Sequence, residues 1–218
     1  IETFPFFYKL KLYISLLLCF FSLHVSAAQK GVTEEGDVVI LNDDGTWFYE
    51  QDNVTEELEI KTNPGVFNTP KTSNFVLKSK KNNATFAINS KKWTFEKSSN
   101  DDAAIEYSLT LKAGDLYARV ITERIQINTK ELTEIALDNA KDVAPNTKVI
   151  KKEYRIVNGK KMIYMEMVGT MKGIDFQYLG YYYSDTSGST QYVTFTGASL
   201  VEKYRNEVDD LLNGFVME

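Results

Sequence analysis

The sequence predicts an α+β fold, an antiparallel sheet with helices packed against it, preceded by an N-terminal β-hairpin. Three observations predict it. Period-two alternation of apolar and polar residues recurs between residues 85 and 196, the mark of strands with two distinct faces. Asp44-Gly45 and Asn158-Gly159 stand between β-rich runs, where such pairs signal tight hairpin turns. Residues 132–143 and 199–215 instead carry apolar side chains at helical spacing.

The chain has 218 residues, room for one or two domains. Charged residues make up 25% and hydrophobic ones 43%, which argues against global disorder and against a polytopic membrane protein. The formal net charge is −5. A nucleic-acid binder needs a basic face to displace counterions, and no such face is evident, so nucleic acid is not an expected partner.

Taken in order, residues 1–27 read as a secretory signal peptide. Lys9 and Lys11 form a positive flank, residues 12–21 an apolar run, and Val25-Ser26-Ala27-Ala28 a small-residue cleavage site, with the cut expected after Ala27 or Ala28. The run is short of the ~20 apolar residues that span a bilayer. No integral membrane span is therefore expected after processing, and the location implied is the bacterial periplasm or the medium. The chain opens on Ile1 rather than Met, which reads either as a fragment with its start upstream or as translation from a non-standard start. Cys19, the only cysteine, lies inside the apolar run behind Leu18, which does not suit lipid attachment. His24, the only histidine, also precedes the cut. The mature chain should thus contain neither residue type and must be held by a packed core.

Residues 28–50 read as the β-hairpin module. A strand over 37–41, a turn at Asn42-Asp43-Asp44-Gly45 and a returning strand over 46–49 make it up. The run Asp43-Asp44-Gly45-Thr46-Trp47 resembles a short motif near the start of many exported bacterial proteins, to which no chemistry attaches. Residues 51–83, with Asn63-Pro64-Gly65 and Thr69-Pro70 and few apolar side chains, read as a linker. The main domain is expected over 84–218. Short strands at 85–88 and 93–95 lead into alternating strands at 105–111 and 116–125. Asn128-Thr129 offers a helix cap and Pro145 a stop, with Leu132, Ile135, Ala136, Ala140 and Val143 on one stripe between them. Four more strands follow, at 148–157, 160–170, 176–183 and 192–196. The last element carries Leu200, Tyr204, Val208, Leu211, Leu212 and Phe215 on one stripe and is read as a closing helix.

That order, from about residue 86 to about residue 215, resembles the PsbP-like fold, shared by the photosystem extrinsic protein P, bacterial DcrB-type periplasmic proteins and a Ran-binding eukaryotic relative. The resemblance rests on the element order, on Trp93 in an early strand, on the helix over 132–143, on the Val157-Asn158-Gly159-Lys160 hairpin and on the closing Gly214-Phe215. It implies an αβα sandwich used as an accessory or adaptor module without enzymatic activity. It carries over no functional residues, and the first 83 residues lie outside it.

The residue inventory narrows the chemistry. Without histidine or cysteine, a Ser-His-Asp or Cys-His nucleophile cannot be assembled, and a zinc centre lacks its usual ligands. No glycine-rich phosphate loop of the P-loop or dinucleotide type is present. No catalytic residue, metal or cofactor is expected. Glycan hydrolysis needs only paired carboxylates, for which Glu123, Glu166 and Asp175 are candidates, although Glu123 and Glu166 sit at strand positions read as solvent-facing. The acidic turns at 42–45 and 100–102 lack the spaced ligands and distal glutamate of a calcium loop.

The run Tyr178-Leu179-Gly180-Tyr181-Tyr182-Tyr183 sends Tyr181 and Tyr183 to one face and Tyr178 and Tyr182 to the other. It reads either as a central strand covered on both faces or as an aromatic patch for a partner, with Tyr181 and Tyr183 as the binding candidates. Met162, Met165, Met167 and Met171 read as gap-filling core. The function expected is that of an exported, non-enzymatic accessory or adaptor protein that binds a partner protein or envelope component. The alternatives are a carboxylate-dependent glycan hydrolase and a carrier of a small apolar ligand.

Overall fold

The structure, a computed structural model, describes residues 29–34, 36, 38–41, 45–49, 60–101 and 103–218. The expected signal peptide, with Cys19 and His24, the turn residues 42–44 and the first part of the expected linker lie outside the described residues.

Thirteen strands and two α-helices are found among the described residues. β1 (Gln29–Val32), β2 (Val38–Leu41) and β3 (Trp47–Tyr49) form a three-stranded sheet. β4 (Phe75–Lys78) and β5 (Ala84–Ile88) pair in a second, completed by β13 (Phe215–Met217), with β5 central. The large sheet has seven strands in the order β6-β7-β8-β12-β11-β10-β9. These are β6 (Trp93–Lys97), β7 (Ile105–Leu111), β8 (Tyr117–Glu123), β9 (Lys148–Val157), β10 (Lys160–Met171), β11 (Ile174–Asp185) and β12 (Gly188–Gly197), and every pairing is antiparallel. Helix α1 (Thr129–Val143) lies between β8 and β9, and helix α2 (Val201–Leu212) between β12 and β13. The domain is thus α+β and dominated by antiparallel sheet. No helix among the described residues is long and apolar enough to cross a membrane.

Local chemistry accounts for the elements. Asn158 and Gly159 both take positive φ, 49° and 85°, as a two-residue turn matched to strand twist requires. Asn128 caps α1, its side chain accepting from the Lys130 backbone N–H. In β7, Tyr107, Leu109 and Leu111 are buried while Ser108 and Thr110 are exposed. In β8, Ala118, Val120 and Thr122 are buried while Tyr117 and Arg119 are exposed.

Side-chain parity places two cores on opposite faces of the large sheet. Leu109, Val120, Tyr164, Tyr181 and Tyr192 pack on one face with Tyr204, Val208, Leu211 and Leu212 of α2 and with Phe86 and Phe215 of the small sheet. Ile163, Met165, Met167 and Tyr182 pack on the other with Leu132 and Ala136 of α1. The buried Met162, Met165 and Met167 fill both cores. β1–β3 contact α1 through an ion pair of Lys30 with Asp138 (3.0 Å) and through a hydrogen bond from Asn128 N to Gly36 O (3.2 Å).

One expectation is refined and one is corrected. Residues 60–83, the described part of the expected linker, are tied to the main domain. Thr62 and Phe67 bridge in parallel to Tyr154 and Val157 along the outer edge of β9, and β4 pairs with β5. Backbone hydrogen bonds hold this stretch, and they leave little apolar periodicity to read. The closing helix also ends before Phe215. A Cβ on Gly214 would overlap the carbonyl oxygen of Ala87, so only glycine lets the chain turn here into β13.

Candidate functional site

The expected aromatic site lies largely inside the protein. Tyr181 is fully buried, and Tyr183 is half-buried against the same core. Of the two readings of the tyrosine run, Tyr181 follows the covered central strand rather than the partner-facing patch, because α2 covers its face of the sheet. Its hydroxyl accepts from Arg155 Nη1 (3.2 Å) and donates to Asn213 Oδ1 (2.9 Å). Burial pushes the Tyr181 phenol up to about 12, with Arg155 pulling the other way.

Arg155 organises this interior. Its guanidinium stacks on the Tyr164 ring at 3.5 Å from the centroid and on the Phe67 ring at 4.5 Å. Its Nε donates to Glu153 Oε1 at 2.7 Å. Burial opposes the charge, but the bonds to Tyr181 and Glu153 outweigh it and hold the guanidinium protonated. Next to it, Glu166 accepts from the Tyr164 hydroxyl (2.8 Å), from Gln177 Nε2 (2.7 Å) and from Arg205 Nη1 (3.2 Å).

These contacts bear on the carboxylate candidates. Glu166 is buried, not solvent-facing as expected, because α2 lays Arg205 across it. Its side chain shares the Tyr164 face of the sheet, whereas Glu123, in step with Tyr117 and Arg119, projects from the opposite face. Asp175 is exposed and accepts from Thr170 Oγ1 (2.7 Å). The sheet separates Glu123 from Glu166, so those two carboxylates cannot flank one bond. Among the described residues no group of three or more metal-ligating side chains is brought together.

Asp209 of α2 has its carboxyl raised, first by burial, with Arg155 and Arg205 opposing and Glu166 adding to it. A carboxyl raised on folding binds its proton more tightly in the folded state. Its effect on stability is most favourable below the ordinary carboxyl range and is lost as the pH rises through the raised value. Asp209→Asn is therefore expected to melt above the parent at pH 7, with the difference closing as the pH falls through the acid range. Thermal unfolding followed by circular dichroism checks this, and equal melting temperatures at pH 7 would refute it.

The accessible face lies on the other side of the large sheet. α1 covers β10 and β11 there, and among the described residues no helix lies over the half built from β6, β7 and β8. Register aligns Thr94, Thr110, Tyr117, Phe195 and Tyr178 in one row across five neighbouring strands. Tyr117 and Phe195 stack at 5.6 Å between centroids, and Tyr178 follows Phe195 at 6.0 Å. Arg119 stands 5.5 Å over the Phe195 ring. Tyr117 is 38% exposed, and Phe195 and Tyr178 are half-buried. Alternation in β8 marks Tyr117 and Arg119 as outward, but only the order of the strands shows that three aromatic rings meet.

The antiparallel sheet with its packed helices has a PsbP-like fold. The solution structure of cyanobacterial PsbP (CyanoP) from Synechocystis superposes with a TM-score of 0.54 at 11% identity, over 68% of this chain and 95% of that one. A protein of unknown function from Pseudomonas aeruginosa gives a TM-score of 0.41 at 9% identity, over 62% of this chain and 91% of that one. No family model and no curated protein matches the sequence. The likeness to CyanoP is one of fold.

Proposed function

We propose that the protein is an exported, non-enzymatic accessory protein, an αβα sandwich that binds a partner protein or envelope component through the open half of its large sheet. The reading is carried by the partly exposed row of Tyr117, Phe195 and Tyr178 with the exposed Arg119 beside it. Aromatic side chains and arginine are the residue types enriched where proteins meet partners. Glu166 accepts three hydrogen bonds, and Arg155 donates two and stacks on the rings of Tyr164 and Phe67, so both are engaged in structural contacts. The signal-peptide pattern supports export, and the PsbP-like fold supports an accessory role.

The double variant Tyr117→Ser/Arg119→Ser tests the proposal. Both residues are exposed, so its melting temperature should stay close to that of the parent. Immobilised parent protein should retain a defined component from envelope extracts of the source organism, and the variant should lose it. Equal recovery by parent and variant would overturn the assignment of the face. A turnover reaction found in an activity screen and abolished by Glu166→Gln would overturn the non-enzymatic reading.

A further inference from the structure

A separate cavity, remote from the aromatic row, carries a charge imbalance. It has a volume of about 270 Å3 and lies at one end of the large sheet. The β4–β5 turn contributes Lys80 and Lys81, the end of β6 Lys97, β7 Glu106, and the chain after β8 Arg124, with Asp101 at the rim. Among the described residues that line it, four are cationic and two acidic, in a chain whose net charge is −5.

Both acids are already engaged. Glu106 is buried, and its carboxylate accepts from Ser79 Oγ (2.7 Å), from Thr122 Oγ1 (2.7 Å) and from the Lys80 backbone N–H (2.8 Å). Asp101 pairs with Lys80 Nζ at 3.1 Å. The cations are less well matched. Lys81 Nζ donates to two neutral carbonyls, Ala103 O (2.6 Å) and Thr122 O (3.0 Å), which position the ammonium without cancelling its charge. Lys97 stands 3.8 Å from the occupied Glu106 and 5.1 Å above the Tyr107 ring. Arg124 is exposed at the mouth. A fixed ammonium, a second ammonium and a guanidinium around one concavity present converging donors with positive charge in excess. That arrangement suits a tetrahedral oxyanion carrying two charges, which takes charge-assisted bonds from both donor types. The volume lies just under the range typical of small-molecule sites, ~300–1,000 Å3, and so suits a compact group.

We propose that this cavity is an anion site that takes a phosphate group, either as free phosphate or a small phosphate ester, or as the headgroup of an anionic phospholipid. Lys81, Lys97 and Arg124 are its ligands, and Glu106 is the buried countercharge that fixes the floor.

The test titrates inorganic phosphate into the uniformly 15N-labelled protein at constant ionic strength and follows the backbone amides of residues 80–82 and 97–98. Saturable shifts at millimolar phosphate are expected, with chloride giving none. Arg124→Gln and Lys97→Gln, both at exposed positions, should each weaken binding about tenfold or more, while Lys203→Gln on the outer face of α2 should leave it unchanged. Vesicles of phosphatidylglycerol distinguish the source of the group. No vesicle binding assigns the site to a soluble phosphate, and vesicle binding displaced by inorganic phosphate assigns it to a headgroup. Absence of saturation, shifts equally produced by chloride, affinity unchanged in both glutamine variants, or vesicle binding that phosphate does not displace would each overturn the proposal.

Discussion

Arg155→Ala is expected to cost the domain about 3–5 kcal/mol, the usual range when one partner of a buried charged pair is removed, and to lower the melting temperature by roughly 10 °C. The side chain is 8% exposed and fills the space between the rings of Phe67 and Tyr164. Its loss leaves a gap between two aromatic faces, removes a donor from the buried Tyr181 hydroxyl and strips Glu153 of its shortest ion pair, at 2.7 Å. Arg155→Lys should recover little, because an ammonium offers neither the flat stack nor the fork that reaches Glu153 and Tyr181 together.

The pH dependence gives a second readout. Burial works to raise the Glu153 carboxyl, but hydrogen bonds from Asn63 and Arg155 overcome it and hold it below its ordinary value. The stability it contributes is therefore present above the ordinary carboxyl range and is lost as the pH falls through the depressed value. Arg155→Ala should flatten that acid limb. Urea unfolding of parent and variant at pH 7 and under acid conditions measures both effects. A loss below about 1 kcal/mol at pH 7, the level of an exposed pair, would contradict the account.

Phe86→Ala is expected to be of similar size, about 3–5 kcal/mol. Phe86 is fully buried at the centre of the small sheet and faces the large one. Its ring meets Tyr192 at 4.8 Å edge-on and Phe215 at 5.1 Å stacked. Truncation removes the contact by which β5 holds both the central strand β12 and the closing strand β13. Phe86→Leu keeps much of the volume and should cost about 1 kcal/mol. If the alanine and leucine variants unfold at the same urea concentration, the ring is not the organising contact between the two sheets.

Much of this architecture is legible in the residues themselves. The Asn158-Gly159 turn, the cap at Asn128 and the alternation of β7 and β8 are local signals, and the structure follows them. The tyrosine run of β11 also divides as alternation requires, with Tyr181 and Tyr183 on the α2 side and Tyr178 and Tyr182 on the α1 side. What escapes a reading of the sequence depends on partners distant in the chain. Residues 60–68 are ordered by backbone bonds to β9, which no side-chain period reports. Glu166 occupies a position that alternation alone leaves in water, and Arg205, 39 residues later, covers it. The aromatic row needs β8 beside β12 and β12 beside β11, an order that only the assembled sheet supplies.

The pairing of β13 with β5 has a kinetic consequence. Phe86 cannot find Phe215 until nearly the whole domain has been synthesised, and closing so long a loop carries an entropic penalty that local contacts do not repay early. The Phe86–Phe215 contact is therefore expected to form late in folding, after the sequential hairpins of the large sheet.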